Sequence, residues 1–546
     1  MGREELLRQS VLKLGVLLVT VAVLWVVRPL IHPLVYGIMY SPGLLYAFGI
    51  PVVVAVILYL APPLTSETRQ SSVENKAVLV GGVFAVGVAL TFSLGLMGGF
   101  VEERTLAEET MAEVEMIDGM PEINADNPRI VPRAVADIQT RGSVSYRTHR
   151  LGESDIARME DGRLAWTYPI QPDQFNNRLN DNQRGILLSD MTAIDNRELV
   201  AVDDQSFTYG QGHFLHRSIQ WQLLTQDYTT KYIDDPIEFT SDGEAYMAFL
   251  KTGHEWRLSP VPHTIPVWDG VALVHQDGTI EHLSPEEAQE SDILDGQRLY
   301  PLYNAERRGN SLLYREGITN TLPLVGSFTN AVVPAQMPSG ADNNQPFVID
   351  LEGEQMTYVM AMEPPGADSR GLDEVWFFDA ASGEAQVYGT EGDTLLGPER
   401  ATGIVRSEDS RTDWQTETVS GQFKVVEPVP VTVDSELWWH TKVTPTDDTD
   451  VTRNVFVNAH TGEAIEIQYT ESIIEFLRGT GVDSIDGVSE VSENGESSIE
   501  PAPSDSDADF VLVVRDDDGN VIERIPFESG YDVSIEQRVN STHTDD

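Results

Sequence analysis

Two segments eighty residues apart carry the same punctuation. One reads Val375-Trp376-Phe377-Phe378-Asp379-Ala380-Ala381-Ser382-Gly383-Glu384-Ala385-Gln386-Val387, the other Val455-Phe456-Val457-Asn458-Ala459-His460-Thr461-Gly462-Glu463-Ala464-Ile465-Glu466-Ile467. Both set Asp or Asn, Ala, Ser or Thr, Gly, Glu and Ala in one register between apolar runs. Asp and Asn fold back onto their own backbone, glycine supplies a positive φ, and the flanks suit strands, so each segment predicts a β-hairpin.

Weaker versions of the pattern precede these two. Arg158 to Tyr168 turns at Asp161-Gly162, Ile237 to Met247 at Asp242-Gly243, and Val271 to Leu283 at Asp277-Gly278. Helices are expected at Val131–Thr140, Pro285–Glu290 and Tyr469–Arg478. Alternating apolar and polar residues predict half-buried antiparallel sheets, with Trp166, Trp376 and Trp438 filling cores between sheet and helix. The resulting fold class is α+β: three N-terminal transmembrane helices, then tandem small units of antiparallel sheet plus helix. The expected divisions are an anchor at 1–101, a helical stalk at 102–127, and repeat units at 128–226, 227–310, 311–400 and 401–480. A disordered acidic linker at 481–508 and a C-terminal hairpin and tail at 509–546 complete the chain.

The anchor rests on three apolar stretches, Val11–Leu30, Leu44–Leu64 and Ala77–Val101, each near the ~20 residues a spanning helix needs. Pro51 interrupts the second, and Gly81, Gly82, Gly87 and Gly95 give the third small residues suited to close helix contact. Arg3, Arg8 and Lys13 lie before or at the first stretch, and Arg69 and Lys76 lie between the second and third. The positive-inside rule therefore predicts a cytoplasmic N-terminus and an extracellular chain after residue 101, in a multi-pass membrane protein.

Charge adds a second constraint. The net charge is −51 and there are no cysteines, so disulfides and thiolate metal sites are excluded. Residues 1–100 hold six basic and four acidic residues, leaving 30 basic against 83 acidic in the remainder. Such a surface repels nucleic acid and anionic lipid. The acids are spread evenly and only six lysines occur, a pattern that resembles haloarchaeal proteins, in which molar salt screens self-repulsion within about 3 Å.

No catalytic signature is present: neither His-Glu-x-x-His, nor Gly-x-Ser-x-Gly, nor a phosphate-binding loop. No catalytic residue, cofactor or metal is therefore assigned. His213 and His216 would share a face if helical, but a third metal ligand is not indicated, and core or surface histidines are the expectation. Asp516 to Asn520 has calcium-loop composition without the spacing, which favours a tight turn. Trp438 and Trp439 are adjacent on a strand, so one should be buried and the other exposed as a candidate partner contact. Asn540 opens an Asn-Ser-Thr glycosylation sequon.

The hairpin copies at 375–387 and 455–467 resemble the end of a PepSY domain, in which a strand, an Asp/Asn-Ala-x-Thr/Ser-Gly-Glu turn and a second strand follow a preceding hairpin. The earlier units depart from it, with Gln276-Asp277-Gly278-Thr279 in the second and Asp190-Met191-Thr192-Ala193, lacking glycine, in the first. The resemblance implies a mainly non-catalytic domain outside the membrane that inhibits peptidases or regulates the cell surface. The expectation is a non-enzymatic, membrane-anchored binding or scaffolding protein with a protein partner. The alternatives are a regulator of an extracytoplasmic peptidase, an accessory subunit of a transport or secretion assembly, or a viral envelope protein.

Overall fold

The computed structural model describes residues 3–41, 44, 49, 52–53, 56–57, 69–143, 146–194, 198–232, 236–322, 326–340, 343–366, 371–390, 395–409, 411–416, 419–490, 510–515 and 521–527. The sequon at Asn540, the turn at 516–520 and most of the Leu44–Leu64 stretch lie outside these residues. The chain divides into two units, Met1–Glu493 and Asn494–Asp546.

Four antiparallel meanders of four strands build the larger unit, and each follows a helix. The helix Arg133–Ser143 precedes a first meander over 155–202, and Ile219–Gln226 precedes a second over 237–283. Leu302–Ser311 precedes a third over 347–389, and Pro398–Glu408 a fourth over 423–467. Mixed α+β architecture with several small antiparallel sheets is thus observed.

Neighbouring meanders share cores. Along the third, Phe347, Ile349, Val359, Val375 and Phe377 face a core shared with the fourth. The alternate residues Val348, Tyr358, Met360, Trp376 and Phe378 face a core shared with the first. This is the period-two side-chain rule applied to a sheet covered on both faces. It corrects the half-buried expectation: Phe423–Val433 is buried at every position after Phe423. The second meander is covered by Ile219–Gln226 on one face and Pro285–Gln289 on the other. A reciprocal Ser284–Glu287 capping box starts the latter helix.

Sheathed sheets put Trp438 in a core as expected, and correct the expectation that one of the two adjacent tryptophans is exposed. Trp438 and Trp439 are 7% and 0% exposed. Trp438 packs edge-on against Phe476 of the closing helix Thr470–Leu477, and Trp439 donates to the Leu396 carbonyl. Neither contacts solvent enough to hold a partner.

The N-terminal helices differ from three simple spans. Among the described residues no single helix is long and apolar enough to cross a membrane. The bent pair Val11–Val26 and Arg28–Tyr40, at 95°, meets that test only in combination. The first apolar stretch therefore breaks at Val27, with Pro29 in the first turn of the second helix, where its missing N–H costs nothing. This second helix, the elbow helix, lies on the second meander. Arg28 donates to the Thr225 carbonyl, Tyr40 Oη donates to that of Thr229 at 3.1 Å, and the Tyr40 carbonyl accepts from Thr264 at 2.7 Å. Tyr36 Oη and His254 Nδ1 share a 2.7 Å hydrogen bond, and Tyr40 stacks on His254.

The helix that carries the third apolar stretch, the stem, runs unbroken from Arg69 to Glu113. Its last turns do not form a solvated stalk: Leu106, Ala107 and Thr110 are buried in the meanders. Glu115–Ile117 then joins the third meander, parallel to Gln386–Tyr388. At the other end, Val488–Glu490 pairs with the fourth meander, so the expected linker starts later than residue 481. In the smaller unit Phe510–Arg515 pairs with Val521–Phe527 as an antiparallel hairpin.

Candidate functional site

The Asp379 to Glu384 turn that marked the sequence stands beside the stem, and its geometry follows from its residues. Asp379 Oδ1 accepts from the Ala381 and Ser382 amides, Ser382 Oγ from Glu384, and the Asp379 carbonyl from Gly383. Asn458 and Thr461 repeat every one of these bonds, with Gly462 N bonding the Asn458 carbonyl. Gly383 and Gly462 have φ of 79° and 78°, a region that L side chains rarely adopt. Gly383 is constrained twice, because a Cβ there would stand 2.4 Å from ring carbons of Tyr300.

Arg308 clamps this turn to the stem. Its Nη1 donates to the Gly383 carbonyl at 2.6 Å and its Nε to Thr110 Oγ1 at 3.2 Å, while Nη2 lies 3.4 Å from Glu113. Its neighbour Arg307 reaches Glu102 at 2.8 Å and Glu103 at 2.7 Å, roughly two to three turns lower. Burial raises the Glu102 carboxyl above its usual range despite that guanidinium.

Between stem, second meander and third meander lies a half-open cleft of about 630 Å³. Its carboxylates come from Glu109, Glu113 and Glu115 on the stem side and from Asp379 and Glu384 on the turn; Trp268, Tyr300 and Phe377 supply aromatic surface. Arg308 is the cation in this lining, and Arg257 pairs with Glu109 from outside it, at 3.1 Å. The arrangement favours a cationic or hydrogen-bond-donating group set against aromatic faces.

A second polar assembly pins the meanders together from inside. Glu427 sits in a β-bulge with φ of 42°. Its Oε2 accepts from Arg129 Nε at 3.2 Å and Nη2 at 2.9 Å, and its Oε1 from the Arg133 amide at 2.9 Å. Arg129 also donates to the Val348 carbonyl and lies over the Trp166 and Phe347 rings. Lys442 is fully buried nearby, and burial pushes its ammonium down to about 7, opposed by the Glu427 charge. A parallel pin joins Arg158 to Asp350 at 2.5 Å. Sequence reasoning passed over all of these residues, whose partners lie up to 298 positions apart.

The remaining candidates fall apart in space. His213 is buried with neither ring nitrogen bonded to protein, whereas His216 lies in the short 3-10 turn Leu215–Arg217 and not on a helix. Burial, then the charges of Arg217, His149 and Arg178, hold the His213 imidazole down to about 4. Among the described residues no cluster of three His, Cys, Asp or Glu can hold a metal.

Comparison of this chain with known protein families, with curated proteins and with solved structures finds no match.

Proposed function

We propose that this is a membrane-anchored, extracytoplasmic binding or scaffolding protein without catalytic activity, which engages a basic segment of a neighbouring surface protein in the stem cleft. The observation that carries the reading is the stem itself. One uninterrupted helix takes the uncharged run from Ala77 to Val101 directly into the wall of the stem cleft. The side chains of much of this run lie outside the described residues, so its reading as a span comes from the sequence, as an uncharged stretch near the ~20 residues a bilayer requires, with the preceding Arg69 and Lys76 placing the cleft outside. Tandem helix-plus-meander units resembling PepSY domains, and an acidic surface suited to molar salt, fit the same setting.

A photo-crosslinking residue at Glu384, on the cleft, tests this in native membranes held in molar salt. A single discrete adduct at Glu384, with none from the same group at exposed Val419, is the expected result. Equal labelling from both positions, or none at Glu384, overturns the proposal. An impermeant label that reaches Val419 only after lysis overturns the orientation.

A further inference from the structure

Among the stretches of this heavily charged chain that lack Asp, Glu, Lys and Arg, the fold collects parts of three beside the stem. They are residues 29–66, 258–268 and 317–341. The first contributes the elbow helix, docked through Tyr40 on Thr229 and Thr264. The second is the tip between the long strands Glu244–Arg257 and His263–Val274. The third begins with the short helix Ile318–Thr321, which packs on the stem, just after Tyr314, whose ring contacts Phe100 of the stem.

Their height along the stem is fixed by contacts. The Pro262 carbonyl comes within 3.6 Å of where a Cβ on Gly98 would stand, and Gly98 belongs to the uncharged run that ends at Val101. About two turns beyond Gly98, His263 Nε2 and Thr105 Oγ1 are 3.1 Å apart. The tip therefore reaches down past Glu102 and Glu103, the acids that follow the uncharged run, to the apolar portion of the stem. Near that level several apolar side chains face outward: Leu258 is 76% exposed, and Trp256, Leu322 and Phe328 are partly exposed, while the exposed Arg257 beside them is paired with Glu109 and Glu255. On the elbow helix Leu30 and Leu34, spaced i and i+4, are exposed on the side away from the buried His32 and Tyr36.

We propose that these surfaces form a collar that enters the outer leaflet of the bilayer around the stem, with the 258–262 tip as its deepest point. The inference rests on the reading that Ala77–Val101 spans the membrane. The occupant follows from continuity, since the collar sits on the same helix segment that lipid must surround. Amphipathic elements of this kind sit about 5–10 Å into the boundary between headgroups and acyl chains, and Trp256 at the margin suits that interface. Absence of charge removes the cost that would otherwise keep these loops out.

The chain has no cysteine, so single cysteines at Val86, Leu258 and Val419 each carry one environment-sensitive fluorophore without further engineering. The full chain is reconstituted in phosphatidylglycerol–phosphatidylcholine vesicles containing an acyl-chain nitroxide lipid, and quenching by that lipid is compared with quenching by aqueous iodide. The expected result is strong nitroxide quenching and loss of most iodide quenching at Val86 and Leu258, with the reverse at Val419. If Val86 is quenched by lipid while Leu258 behaves as Val419 does, the collar is wrong and the anchor stands. Shielding of Leu258 from both quenchers means a protein contact, and also overturns the collar. If Val86 itself escapes the nitroxide, anchor and collar fall together.

Discussion

Replacing Glu427 with Gln keeps the shape of the buried pin and removes its charge. In the native protein that carboxylate accepts two hydrogen bonds from Arg129 and one from the Arg133 amide, with side-chain exposures of 0% for Glu427 and 3% for Arg129. The variant strands a guanidinium away from water, and breaking a buried pair in this way costs about 3–5 kcal/mol. Arg129→Met is different, because Lys442 remains within electrostatic reach of Glu427 and supplies a substitute cation. The expected order is therefore Glu427→Gln worse than Arg129→Met, with the double variant recovering most of the single loss. At roughly 2 °C per kcal/mol for a body this large, Glu427→Gln should lower the melting point by about 6–10 °C. Tryptophan fluorescence during heating, at fixed molar salt, measures the shift. A fall of under about 2 °C, or a double variant worse than both singles, refutes the claim that this pair pins the meanders.

Other outcomes follow from the same structure. Gly383→Ala should destabilise by about 1–3 kcal/mol or more from its positive φ, and more than Gly462→Ala, because only Gly383 faces a ring at 2.4 Å; Gly462 has neighbours no closer than 3.4 Å. Paired thermal melts decide the ranking. Lys442 is held below its unfolded value, so between pH 7 and about 10 the unfolded chain binds more protons and stability should rise with pH. Lys442→Met should flatten that rise in urea titrations across the range. His213 is held down to about 4, so its contribution to stability is present above about pH 6.5 and lost as pH falls toward 4. His213→Leu should be near neutral at pH 7 and should reduce acid sensitivity within that window, as followed by circular dichroism.

What could be read from the chain was local. Asp379 and Asn458 announce their turns because an acceptor two bonds from the backbone, followed by Ser or Thr and then Gly, has one economical set of partners. The closing helix at Thr470–Leu477 and the capped helix after Ser284 were legible for the same reason. Burial of both faces was not, because alternation in Glu436–Pro445 reports which way side chains point and not what covers each side. Thus Trp438 fills a core against the closing helix as expected, while the exposure expected of one member of the pair does not occur, since Trp439 is buried as well. The elbow at Val27 was not read, since Pro29 falls inside the stretch taken as one span, and the partners holding the new direction, Thr225, Thr229 and Thr264, lie about two hundred residues downstream. Arg129 with Glu427, and Arg308 with Gly383, are long-range pairs of the same sort. The cleft could not be foreseen, since it exists only where the stem, a strand edge and the turn meet.

An α-helix without a break is also a ruler and a protractor. Each residue added to the stem between the bilayer and Glu102 would lift the meanders about 1.5 Å and swing them by roughly 100° about the helix axis. Under the proposed anchoring, the bearing on which the cleft faces its neighbours is set by residue count alone, so one inserted alanine would turn it away from them.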